Sequence, residues 1–250
     1  MQITFNGQTG IVTGAGSGIG EAIAIGLAAA GARVIVADRD LDKATAVAAK
    51  ITASGGLAHA TGGDVSDPAA VQAIVALAIE KGGALTLLVN NAGIGGPQAP
   101  VGEYPVEGWQ QVIDVNLNGV FYGMCYAVPE MLKAGGGAIV NMASILGSVG
   151  FAQSSAYVAA KHALLGLTKT AALEYTSRGI RTTAVGPAFI DTPLLSAMPS
   201  EAKVGLAALH PIGRLGTATE VANLVLFLLS DKASFISGSY HLVDGGYTAQ

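Results

Sequence analysis

Short β-branched apolar runs recur along the chain, and between them lie longer Ala-rich stretches whose apolar positions return every three to four residues. The runs at 10–12, 34–36, 85–89, 138–140 and 182–185 read as strands. The stretches at 18–30, 41–54, 68–81, 108–133, 154–177 and 219–229 read as helices. Two helix starts carry their own marks, at Asp67-Pro68 and Thr219-Glu220. The strands are apolar at successive positions, as they must be when helices cover both faces of a parallel sheet. This predicts a doubly wound α/β fold with a sheet of about seven strands. No proline-rich linker, charge block or repeat divides residues 1–250, so one domain is expected. The exception to the regular pattern is 186–211, a long, irregular insertion with four prolines. Loops of that length are commonly functional, which makes it a candidate substrate lid; the other reading is an excursion packed on a neighbouring subunit.

Composition narrows the class. Charged residues are 12% of the chain against a usual value of roughly 25%, hydrophobic residues are 51%, and the net charge is −4. Disorder is excluded, and the clustered Lys and Arg that nucleic-acid phosphates require are missing. No apolar stretch reaches the ~18 residues of a membrane span, and the polar start after Met1 does not resemble a secretory leader, so a cytoplasmic location is expected. Cys125 is the lone cysteine and is expected to be a small packing residue. His59, His162, His210 and His241 are scattered without metal-ligand spacing.

The first predicted strand runs into Thr13-Gly14-Ala15-Gly16-Ser17-Gly18-Ile19-Gly20, and a helix follows at once. Glycines at a helix N-terminus let free amides approach a pyrophosphate closely, although methyltransferases and plain turns use similar sequences. The second strand ends at Asp38, close to the ~20-residue offset at which an acid binds the adenosine ribose. An acid there favours NAD over NADP, whose 2′-phosphate would meet it charge against charge. Arg39 opposes this, since an arginine can receive that phosphate. Strand alternation predicts that its side chain points to the other face.

Tyr157 and Lys161 share one face of a predicted helix at i, i+4 spacing. A phenol titrates near 10, so proton exchange near neutrality needs a downward shift of roughly 2 to 3 units, which a cation ~4 to 5 Å away can supply. Lys161 is expected to lower the tyrosine in this way.

Taken in order, these pieces resemble the short-chain dehydrogenase/reductase family over nearly the whole chain. Residues 13–20 match its T-G-x-x-x-G-I-G turn, Asp64-Val65 its adenine-contacting acid, Asn90-Asn91-Ala92-Gly93 its N-N-A-G, and Asp244-Gly245-Gly246 its C-terminal turn. The resemblance implies a single-domain Rossmann fold. It implies a catalytic tetrad of Asn116, Ser144, Tyr157 and Lys161, and a cofactor site that also uses Gly14, Ser17, Gly18, Ile19, Gly20, Asp38, Arg39, Asp64, Val65, Asn91, Ala92, Gly93, Pro187, Ile190 and Thr192. Tyr157 would protonate the carbonyl oxygen while hydride leaves the nicotinamide of NAD(H), and Ser144 would hold that oxygen. Lys161 would also hold the nicotinamide ribose, Asn116 would anchor a proton-relaying water, and Thr192 would hold the carboxamide. Where family members commonly carry Pro-Gly, this chain has Pro187-Ala188, so that turn has either ordinary dihedrals or strain.

Residues 141–147, 119–123 and 240–250 are similar to bacterial NADH-dependent secondary alcohol dehydrogenases acting on ketones. Ile94, Ile145, Leu146, Phe189, Leu194, Leu195 and Met198, with space at Gly95 and Gly96, could line an apolar slot for a medium-sized or aromatic ketone. Polyol and 3-oxoacyl substrates are the alternatives; no Lys or Arg in 94–100 or 188–200 supports the acyl carrier one. Relatives with this ending can hold a magnesium ion at the C-terminal glutamine, here Gln250. The apolar helices at 108–133 and 154–177 need cover, and the resemblance implies a homotetramer. Two further readings compete, a nucleotide-sensing binding protein on the same fold and a methyltransferase; Ser144, Tyr157 and Lys161 have no role in either.

Overall fold

The computed structural model describes residues 3–196 and 198–249, the side chains of Leu194, Ser196 and Ser200 excepted. Strand and helix alternate as β1 (Thr9–Thr13), α1 (Gly18–Ala29), β2 (Arg33–Asp38), α2 (Leu41–Ala53), β3 (Leu57–Gly62), α3 (Pro68–Gly82) and β4 (Leu87–Asn90). There follow α4 (Val106–Ile113), α5 (Gly119–Lys133), β5 (Gly137–Met142), α6 (Ser155–Tyr175) and β6 (Ile180–Pro187). The chain then forms β7 (Ile190–Asp191), α7 (Pro193–Ser196), α8 (Ser200–Ala208), β8 (Gly216–Thr217), α9 (Ala218–Leu229) and β9 (Tyr240–Val243). Seven strands make one parallel sheet in the order β3-β2-β1-β4-β5-β6-β9. Chain direction across the sheet reverses between β1 and β4, and in such sheets a ligand crevice opens beyond the strand C-termini at that point.

The apolar runs explain the layering. Val12, Val36, Val89 and Val140 face one core with Ile23 and Leu27 of α1, Val47 of α2 and Val225 of α9. Their chain neighbours Ile11, Ile35, Leu88 and Ile139 face a second core with Ile74 of α3, Met124 and Met131 of α5 and Ala171 of α6. The central strands β1, β2, β4 and β5 therefore bury both of their faces. Helix starts are fixed by side chains: Asp67 accepts from the Ala69 amide with Pro68 in the first turn, and Asp40 accepts from the Lys43 amide. Thr217 and Glu220 form a reciprocal capping box, which starts α9 slightly earlier than Thr219 predicted.

Several expectations are corrected. The stretch 108–133 is not one α-helix, because residues Asp114–Asn118 form a π-helical segment between α4 and α5. The insertion 186–211 is not irregular; it contains the end of β6, then β7, α7 and α8. Cys125 is exposed on α5 rather than packed. Ala188 has no positive φ, and its amide donates to the Val243 carbonyl at 3.1 Å, so the turn after Pro187 is unstrained. Among the described residues no helix is long and apolar enough to cross a membrane, and no cluster of His, Cys, Asp or Glu could hold a metal ion. The magnesium expectation at Gln250 lies outside the described residues.

Candidate active site

A cavity of about 600 Å³ opens beyond the C-terminal ends of β1, β2, β4, β5 and β6. One part is built from main chain. Gly14 and Gly18 have φ of +62° and +58°, a region L side chains avoid. A Cβ on Gly20 would collide with the Gly14 carbonyl oxygen. Asn91 locks this turn to the next one: its Nδ2 donates to the carbonyls of Thr13 (2.9 Å) and Gly14 (3.1 Å). The Thr13 hydroxyl in turn accepts from the amides of Asn91 and Ala92. Ser17, Ile19 and Gly93 complete the surface, and the Ser17 hydroxyl makes no capping bond to α1. The first-turn amides of α1, the positive φ values and the missing Cβ atoms together suit a pyrophosphate.

Asp38 lies at the rim. Its Oδ2 accepts from the Gly16 amide at 2.9 Å and its Oδ1 from the Asp40 amide at 3.0 Å, so each oxygen keeps capacity for a further donor. Arg39 lines the same cavity, contrary to the expectation from strand alternation. The physical reason is that β2 ends at Asp38, so the pleat no longer dictates the next side chain. Asp64 accepts from the amide and hydroxyl of Ser66, which hold its carboxyl below the usual range, with Arg39 adding to the effect. Val65, Pro187, Ile190 and Thr192 also line the cavity, Thr192 standing over Gly18.

Ser144, Tyr157 and Lys161 come together where this polar part ends. Ser144 extends β5 and its Oγ accepts from the Leu146 amide at 3.2 Å, so its own proton is available to another acceptor. Lys161 is 3% exposed; its Nζ donates to the Met142 carbonyl at 2.7 Å and stands 5.4 Å from the centre of the Tyr157 ring. Burial pulls the ammonium down to about 8. Burial also pushes the Tyr157 phenol up, partly countered by a hydrogen bond with Ser144. Tyr240 adds to the upward push on the phenol, while the Lys161 cation stands over the ring and gives its hydrogen bond to Met142.

Asn116 is the member of the predicted tetrad that does not line the cavity. It is fully buried in the π-helical segment, its Oδ1 accepting from the Ile94 amide (2.8 Å) and its Nδ2 donating to the Ile94 carbonyl (2.7 Å). The side chain thus fixes the loop after β4 and lies against Gly93.

The remaining wall is apolar. Ile94, Gly95, Gly96, Ile145, Leu146, Phe189, Leu195 and Met198 line it as expected; the Leu194 side chain lies outside the described residues. Sequence reasoning missed Gln98, Phe151, Ser154 and Leu206. Phe151 and Phe189 meet with ring centres 6.0 Å apart, and Phe189 also meets His210 and Tyr247 at 5.8 and 5.9 Å. The Gly and aromatic residues flanking 147–151 were the available signal for Phe151; the weakly patterned α8 gave none for Leu206.

Relatives agree with this geometry. The family model described as enoyl-(acyl carrier protein) reductase matches residues 14–248. The chain is 51% identical over 250 residues to cyclohexanol dehydrogenase of Acinetobacter sp. (strain SE19), covering 100% of this chain and 98% of that one. It is 45% identical over 249 residues to cis-4-hydroxycyclohexanecarboxylate dehydrogenase of Sinomonas cyclohexanicum, covering 100% of both. The crystal structure of levodione reductase superposes with a TM-score of 0.94 at 37% identity, over 98% of this chain and 99% of that one. The chain belongs to the short-chain dehydrogenase/reductase family and is an oxidoreductase of the alcohol dehydrogenase kind. Such dehydrogenases generally use NAD or NADP.

Proposed function

We propose that this enzyme interconverts a medium-sized cyclic secondary alcohol and its ketone with NAD(H). The observation that carries the reading is the position of Ser144 and Tyr157 at the seam between a main-chain cradle suited to a dinucleotide and a slot walled by Phe151, Phe189 and Leu206. Bound in the cradle, the nicotinamide supplies or accepts the hydride. The residues of this chain handle the oxygen and its proton. The Ser144 hydroxyl donates to the substrate oxygen and stabilises the charge that develops there. Tyr157, kept neutral by burial, gives its proton to that oxygen in reduction and takes one back in oxidation. Lys161 holds the cofactor ribose and supplies positive charge beside the phenol once its ammonium is turned toward the site. Asn116 supports the loop that carries Gly93 and Ile94; a water relayed there would bond its main chain, since both side-chain atoms are engaged with Ile94.

Asp38 accepting from ribose hydroxyls supports NAD over NADP, with Arg39 a secondary contact. The segment 186–211 would act as a lid: Lys203 of α8 pairs with Asp191 of β7 at 3.8 Å, and Phe189 packs on Phe151 across the opening. The relatives named for six-membered ring substrates support the ring preference. Initial rates with cyclohexanol and NAD, set against a 3-oxoacyl thioester and a linear polyol, test the proposal; faster turnover of either alternative contradicts it. Exposed Phe121 on α5 and Leu173 on α6 support burial against other copies of the chain as a homotetramer, which sedimentation as a monomer at micromolar concentration would refute.

A further inference from the structure

β9 is an edge strand of the sheet, and its first residue reaches back toward the proposed reaction centre. Tyr240 pairs in register with Ala184 of β6, and its side chain crosses Gly186. A Cβ on Gly186 would run into the ring and oxygen of Tyr240, so this glycine leaves the path that the tyrosine uses. At its end the Tyr240 hydroxyl donates to the main-chain carbonyl of Ser144. That carbonyl also accepts from the Gly147 amide at 2.9 Å, which closes the 3₁₀ turn Ile145–Gly147.

The neighbouring carbonyl of Met142 is held by Lys161, and the Ala143 amide donates to Val185 at 2.8 Å. The loop leaving β5 is therefore gripped by α6 and β6, and Tyr240 adds a hold from β9. We propose that Tyr240 is a positioning residue, which fixes the peptide after Ser144 so that the Ser144 hydroxyl stays oriented toward the Tyr157 phenol and the substrate oxygen beside it. This rests on the roles of Ser144 and Tyr157 proposed above. The Ser144 Oγ accepts from the Leu146 amide at 3.2 Å, and that amide lies just past the peptide that Tyr240 holds. If that peptide rotates, the Leu146 amide moves with it and the hydroxyl loses its direction.

The titratable and charged groups around this arrangement are Tyr157 and Lys161 from α6, Tyr240 from β9 and Asp244 beyond it, with the Ser148 hydroxyl beside the Tyr240 phenol. Burial and the charge of Asp244 raise the Tyr240 phenol, which keeps it a neutral donor across the working range. On the Tyr157 phenol the Ser144 hydrogen bond acts downward and Tyr240 acts upward, so the readout for the Tyr240 hold is turnover and its dependence on Ser144.

Tyr240→Phe in the full-length enzyme keeps the ring and deletes the donor. Alcohol oxidation should lose about tenfold in kcat with cofactor affinity unchanged, the split expected when only the reacting oxygen's partner is misdirected. Gly186→Ala, which forces the phenol away from the carbonyl, should give a similar loss in kcat with cofactor affinity again unchanged. In a Ser144→Ala background Tyr240→Phe should change kcat by less than about twofold, because its route of action is already gone. Unaltered kcat in both single variants, or a full tenfold loss in the Ser144→Ala background, overturns the proposal. Wild-type kcat in Ser144→Ala alone is a separate result, and removes the reading of the site on which the proposal stands.

Discussion

The glycine cradle at residues 13–20 and 90–93 is held by main-chain atoms, the Asn91 amide and the Thr13 hydroxyl, whereas the opposite wall at Phe151, Phe189 and Leu206 is held by ring and aliphatic contacts. In the cradle, Gly20 has no room for a Cβ, and Asn91 bonds two carbonyls of the glycine turn. On the wall, Phe189 touches three other rings at 5.8 to 6.0 Å, contacts that another apolar side chain of similar volume could replace. Backbone geometry is intolerant of substitution and side-chain packing is forgiving. A ligand whose chemistry is constant is thus met by the first kind of surface, and one whose shape varies among relatives by the second.

This contrast can be broken or sharpened by substitution. Lys161→Ala removes the cation and its bond to Met142 at the seam of both surfaces, so kcat should fall by more than about 10² while the cofactor KM rises. The same lysine gives a pH signature in the ligand-free protein. Its folded value of about 8 lies below the ordinary lysine value of 10.5, so the unfolded chain binds more protons between those values and stability rises with pH across that window. Thermal unfolding of Lys161→Ala should lack that rise. Asp38→Ser comes next in size. The native enzyme should prefer NADH over NADPH by about 10² in kcat/KM, and the variant should shrink or reverse the ratio, since Arg39 on the same cavity remains available to a phosphate. Equal use of both cofactors by the native enzyme would show that Arg39 governs the rim. On the wall, Phe189→Ala should raise the KM for a cyclic ketone by about fivefold and leave the cofactor KM unchanged. A larger loss in cofactor binding than in substrate binding would join the two surfaces that this comparison separates.

The difference between the surfaces also explains what could be read from the chain. The cradle was legible because a positive φ at Gly14 and Gly18 and a missing Cβ at Gly20 restrict those positions to one residue type. The central strands were legible because their neighbouring apolar residues serve two cores. The edge strands β3 and β9 were not, since Leu57–Gly62 and Tyr240–Val243 are half-covered and lack the continuous apolar run. The π-helical turn at Asp114–Asn118 keeps nearly helical periodicity, so nothing in the pattern separates α4 from α5 there. Asn116 was singled out by the family resemblance, and its engagement with Ile94 depends on a loop 22 residues away in sequence that no local signal predicts. The partner of Tyr240 is more distant still, 96 residues back along the chain.

The central claim is that the phenol at the seam moves the proton and is not needed to hold the cofactor. The direct measurement is kcat for reduction of a cyclic ketone by Tyr157→Phe, together with NADH affinity by fluorescence titration on the same preparation. The account predicts that kcat falls by about 10² or more with NADH affinity unchanged, because only the transition state uses the phenolic proton. A Tyr157→Phe enzyme that turns over near the native rate would contradict it.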